Sequence, residues 1–109
     1  MLRASASAFE YDLDVRSVAD PSVPTGIPGG NELLRFVDAT MLGGDADAAR
    51  EAVVDALDGP SLFDAATVMG NFEMMNRVAE GSGIPIAQQA IDRNAETIET
   101  LGIGHFVKD

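Results

Sequence analysis

The sequence predicts an all-α protein, a small helical bundle of about four helices behind an irregular N-terminal arm. Three observations carry that expectation. From residue 31 onward apolar residues recur at three- and four-residue spacing, cut by glycine and proline pairs. Only one run, Phe9 to Arg16, alternates apolar and charged residues, and no second strand candidate exists to pair with it. Apolar residues are 46% of the 109, enough for a packed core in a single domain.

Residues 1–30 read as the arm and its linker. Phe9, Tyr11, Leu13 and Val15 would share one side of an extended segment lying on this subunit or on a neighbour. The stretch PSVPTGIPGG at 21–30 is rich in breakers and marks the boundary to a helical domain at 31–109.

The first helix is expected to be capped by Asn31, with Glu32 in its first turn and Leu33, Leu34, Val37 and Met41 on its apolar face. Gly43-Gly44 stops it. Asp45 can cap a second helix with Ala49, Val53, Ala56 and Leu57 as its stripe, ended by Gly59-Pro60. Ser61, with Asp64 three residues on, would open a third helix running to about residue 80. Leu62, Ala66, Met69, Phe72 and Val78 point inward in this reading, with Ala65, Met75 and Ala79 beside them. Met74 lies nearer the polar side, where it can touch a partner. Gly70 in the middle costs about 1 kcal/mol relative to alanine, a cost that close approach of another helix would offset. The segment EGSGIP is a strong stop. A fourth helix then carries Ile91, Ala95, Ile98 and Leu101, with Gly102 as its cap and the tail IGHFVKD docked on the body.

Composition excludes several kinds of chemistry. Seven basic against eighteen acidic residues give a net charge of −11, which repels phosphate backbones and anionic lipid, so no nucleic acid and no membrane partner is expected. No cysteine is present, which removes disulfides, thiolate metal sites and nucleophilic thiols. The N-terminus is too polar and too quickly acidic for a secretory signal, and a cytoplasmic setting is expected. The lone histidine, His105, stands near the end of the chain and reads as a surface or docking residue. The tight acidic pairs Asp12/Asp14 and Asp45/Asp47 do not continue into a calcium loop. No metal and no cofactor is expected, since neither GIPGGNE nor GSG completes a phosphate-binding motif.

What remains is the polar set on the third helix: Asn71, Glu73, Asn76, Arg77 and Glu80. Glu73 and Arg77 stand four apart in the favourable order and are the candidate catalytic pair. A desolvated Glu73 could serve as a general base. The plainer reading makes all five surface or subunit-interface residues. The helical part is short for a self-sufficient core, and its alanine-rich stripes and leftover Met and Ile faces point to a homo-oligomer.

The stretch FDAATVMGNFEMMNRVAEGSGIPI resembles the C-terminal helix and exit turn of the carboxymuconolactone decarboxylase and AhpD-like alkylhydroperoxidase superfamily. The likeness rests on Asp64 to Ala66, Val68, Asn71, Phe72, Met75, Arg77, Ala79 and Gly83 to Pro85, with LLRFVDATMLGGDADAAREAVVDAL fitting the preceding helix pair. It covers residues 33 to 86, about half the chain. The resemblance implies an all-α fold and oligomers built by helix swapping or stacking. It also implies peroxide reduction through a C-x-x-C pair, which a chain without cysteine cannot perform. The expectation is therefore a non-redox, non-catalytic relative with a binding or oligomerisation role. The alternatives are a decarboxylase- or isomerase-like enzyme taking a small-molecule ligand into an inter-helix pocket, and an acidic module that docks on another protein through residues 1–19.

Overall fold

A computed structural model describes residues 7–107, and within them the protein is all-α. It is 68% helical, with five helices and no strand among the described residues. They are α1 (Gly30–Met41), α2 (Ala46–Ala56), α3 (Gly59–Ser82), α4 (Gln88–Arg93) and α5 (Ala95–Leu101). Short 3₁₀ turns precede and follow them at Val15–Val18 and Gly104–Phe106. The first six residues of the expected arm and the last two of the tail lie outside the described residues.

The N-terminal segment is tied down from within. The amide of Asp14 donates to the carbonyl of Thr25 at 3.1 Å, and the Asn31 side chain accepts from Thr25 N while donating to the Val23 carbonyl. Asn31 is therefore not the helix cap its position suggested. Gly29 caps α1 instead, with φ of 69°, while the Asn31 amide closes the preceding loop, where two otherwise orphaned backbone groups need partners. The expected extended stripe is also corrected, because Val15 turns into the 3₁₀ segment that packs on α5.

Asp45 caps α2 as expected, its carboxylate accepting from Ala48 N at 3.0 Å. Replacing it by alanine removes that acceptor at an exposed helix start. Asp45→Ala is expected to cost about 1 kcal/mol in denaturant unfolding, with the asparagine variant recovering most of it. The cap of α3 differs from the Ser61 expectation. Asp58 supplies it, accepting from Ser61 N at 2.6 Å, and Pro60 sits in the first turn where its missing N–H is harmless.

The core lies where α1, α2 and the first turns of α3 meet. Phe36, Ala49 and Val53 are buried, with Leu33 and Ala39 of α1 and Leu62, Ala65 and Met69 of α3 packed around them. Val53 is 0% exposed. At 24 residues α3 is about 36 Å long, and its second half runs past the three-helix core. Gly83, in the left-handed region at φ 65°, then stops it. The single fourth helix expected is two short ones. At Asn94 the side-chain amide bonds back to the Ala90 carbonyl at 2.7 Å, and the backbone leaves the helical region with ψ near 11°.

Candidate functional site

The long helix α3 is where side chains and surroundings disagree. No residue of it is buried. Leu62, Ala65 and Met69 meet the core, but Ala66, Phe72 and Val78, expected to point inward with them, are exposed, and so is Met75. At about 100° per residue, Val68, Met75, Val78, Met74 and Phe63 spread in that order over the half of the helix turned away from the core, while Phe72 shares the core-facing side but lies past the core's last contact at Met69. Phe63 is 73% exposed, Met74 59% and Val78 58%. Apolar side chains thus occupy every side of this helix. A helix of that kind is stable when surrounded by other apolar groups. No helix among the described residues is long and apolar enough to cross a membrane.

The candidate catalytic pair lies on the second half of α3, beyond the core. Glu73 and Arg77 are 3.9 Å apart, and Arg77 also reaches Glu80 at 3.5 Å. Arg77 is three-quarters exposed. Asn71 is directed at Met75 rather than at this trio, with its amide 3.6 Å from the sulfur, and Asn76 is exposed. Glu73 is partly buried while Arg77 stands in solvent, so the pair is a largely solvated helical ladder, and such ladders contribute a few tenths of a kcal/mol.

The hollows of the surface lie elsewhere. One, about 380 Å³, opens between α1, α2 and the start of α3 and is walled by Phe36, Thr40, Arg50, Leu62, Phe63 and Met69. A second, about 400 Å³, follows the α1–α2 turn, with Ala39, Leu42, Ala48 and Ala52 along it. Neither includes Glu73 or Arg77. Asp47 pairs with Arg50, which walls the first, so Asp45 and Asp47 serve a cap and an ion pair respectively. Among the described residues no group of three His, Cys, Asp or Glu side chains converges as a metal site would require. His105 is exposed and lies against Phe106, ring centres 4.0 Å apart.

A polar hollow of about 360 Å³ separates Asp12, Asp14 and Arg16 from Glu96 and Thr100 of α5. Asp14 accepts from the Arg16 guanidinium and from the Arg16 backbone N–H, and these bonds hold its carboxyl down from 3.8 to about 2. Hydrogen bonds from Ser22 and Ser61 lower Asp20 and Asp58 in the same sense. A carboxyl lowered by folding stabilises the native state above its unfolded pKa, and that contribution disappears as pH falls through the native value. For Asp14 the window runs from 3.8 down to about 2. Asp14→Asn is expected to flatten stability against pH across that window. Urea midpoints falling as steeply in the variant as in the parent would show that the bond to Arg16 is not responsible.

The fold and site define a small all-α protein whose longest helix exposes apolar side chains. Comparison with known protein families, with curated proteins and with solved structures finds no match to this chain.

The signal for the exposed surface is present in α3, where apolar residues lie at too many angles for a single stripe. Assigning Phe72, Met75 and Val78 to one inward face presumed a body along the whole helix. The described residues supply one only along its first half.

Proposed function

We propose that this chain is a non-redox, AhpD-like helical protein whose role is assembly, a homo-oligomer formed through α3, rather than catalysis. The observation that carries the reading is the run of half- to three-quarters-exposed apolar side chains around a helix that its own chain covers on one side only. The amount of surface supports it. The chain exposes 8126 Å², about 2,400 Å² more than a compact monomer of 11.4 kDa should expose. Its radius of gyration is 15.2 Å, against about 13 Å for a compact domain of this length. An obligate dimer buries about 1,000–2,500 Å² per partner, the same order as the excess. The resemblance of residues 33 to 86 to the carboxymuconolactone decarboxylase and AhpD-like superfamily agrees with assembly through helices, and the absence of cysteine removes the thiol chemistry. The alternative of a carboxylate enzyme draws less support, because Glu73 and Arg77 line neither apolar groove.

Sedimentation velocity across a hundredfold range of concentration tests the reading. The parent chain is expected to associate and to melt at higher temperature as concentration rises, since a partner that binds only the native state adds to its stability. Val78→Asp is expected to shift the population toward monomer. A parent that stays monomeric throughout, yet unfolds cooperatively when dilute, overturns the proposal.

A further inference from the structure

We infer that the partner of α3 is the α3 of a second copy, packed antiparallel about a two-fold axis that passes beside Gly70. The inference rests on the assembly reading and specifies its geometry.

Gly70 stands at the middle of α3, exposed, with ordinary helical backbone rather than a positive φ. A Cβ added there would meet nothing within 4 Å. The close approach expected of this glycine is thus made by no other part of the chain among the described residues. Gly59 and Gly81 are equally open, but they sit in the first and last turns of α3, where glycine is cheap. A glycine at mid-helix with neither a backbone need nor an internal neighbour has one remaining physical use, to let another backbone come close. Ala66 precedes it by one turn, and Phe63 and Met74 continue the same face as exposed apolar flanks.

The surface excess, of the order an obligate dimer buries, selects a second copy as the occupant, and charge sets its place and direction. The chain carries −11, so two copies repel over most of their surfaces. Residues 65–79 hold only Glu73 and Arg77 among charged side chains, a neutral strip on which like molecules can meet. Side by side in parallel, Glu73 would face Glu73 and Arg77 would face Arg77. Reversed about Gly70, like charges no longer face each other, Arg77 comes level with the partner's Phe63, and the two helix dipoles oppose. A two-fold axis perpendicular to α3 sets the residue it passes beside opposite the same residue of the partner, so an axis beside Gly70 brings the two open glycines together.

Because the chain has no cysteine, single introduced thiols report the geometry without background. Ala66→Cys and Met74→Cys each lie four residues from Gly70. Antiparallel pairing puts residue 66 of one copy opposite residue 74 of the other, and holds identical positions about 12 Å apart along the axis. A mixture of the two variants is expected to cross-link with a short bismaleimide at least about tenfold faster than either alone. Gly70→Leu, which improves helix propensity and meets nothing within its own chain, is expected to raise the dissociation constant at least about tenfold without loss of helix content. Association with self-linking of each single variant, no preference for the mixture, or an unchanged constant in Gly70→Leu overturns the two-fold geometry while leaving assembly intact. A parent chain that does not associate overturns both.

Discussion

Phe36→Ala is expected to cost about 3–5 kcal/mol and to lower the melting temperature by roughly 15 °C or more. The size of the effect follows from how little is buried. Phe36 is the one aromatic in a core whose other buried members are Ala49 and Val53, and it wedges α1 against α2 while walling the groove beside α3. Removing the ring deletes much of the buried apolar area and leaves a void that Leu33, Leu62 and Met69 cannot close, since each is anchored on a different turn. A domain of this length has about 5–15 kcal/mol to lose, so a fifth or more of it is at stake. Equilibrium urea unfolding measures this directly. A loss under about 1 kcal/mol would mean that the three-helix core does not hold the fold together.

Gly26→Ala is expected to be nearly as damaging, at about 3 kcal/mol, and for a different reason. Gly26 has φ of 79°, in the left-handed region, and a Cβ built there would lie 1.8 Å from the backbone carbonyl oxygen of Asp12. That neighbour is main chain and cannot swing aside. Relief requires separating the 12–14 segment from the 23–26 loop, breaking the bond from Asp14 N to the Thr25 carbonyl. Hydrogen exchange should then show the Asp14 amide losing its protection while amides in α2 keep theirs beneath the lowered global stability. An Asp14 amide still protected in the alanine variant would contradict this account.

The two substitutions also show what could be read from the residues alone. Val53 and Ala49 were recognisable as core because α2 is short, amphipathic and covered on one face only, so spacing and burial coincide. The Asp45 cap, the glycine stops at 83 and 102 and the all-α class were legible for the same local reason, since each depends on a few consecutive residues. Asn31 and Ser61 were misplaced as caps because their surroundings competed. A loop needed the Asn31 amide, and Asp58 offered a stronger acceptor three residues earlier.

The candidate site followed the same division. Glu73 and Arg77 were correctly four apart on one helix, and their 3.9 Å separation is a consequence of helical geometry. Whether a pocket stood beside them depended on where α1 and α2 end in space, which no local pattern encodes.

By itself the sequence determined the helical class, the stops between helices and the impossibility of thiol chemistry, because propensity, capping and composition act within a turn or two. Only the tertiary structure decided that α3 outruns its own core and leaves Phe72, Met74 and Val78 in water. Burial is a property of what lies across from a side chain, and for half of this helix nothing in the described chain does.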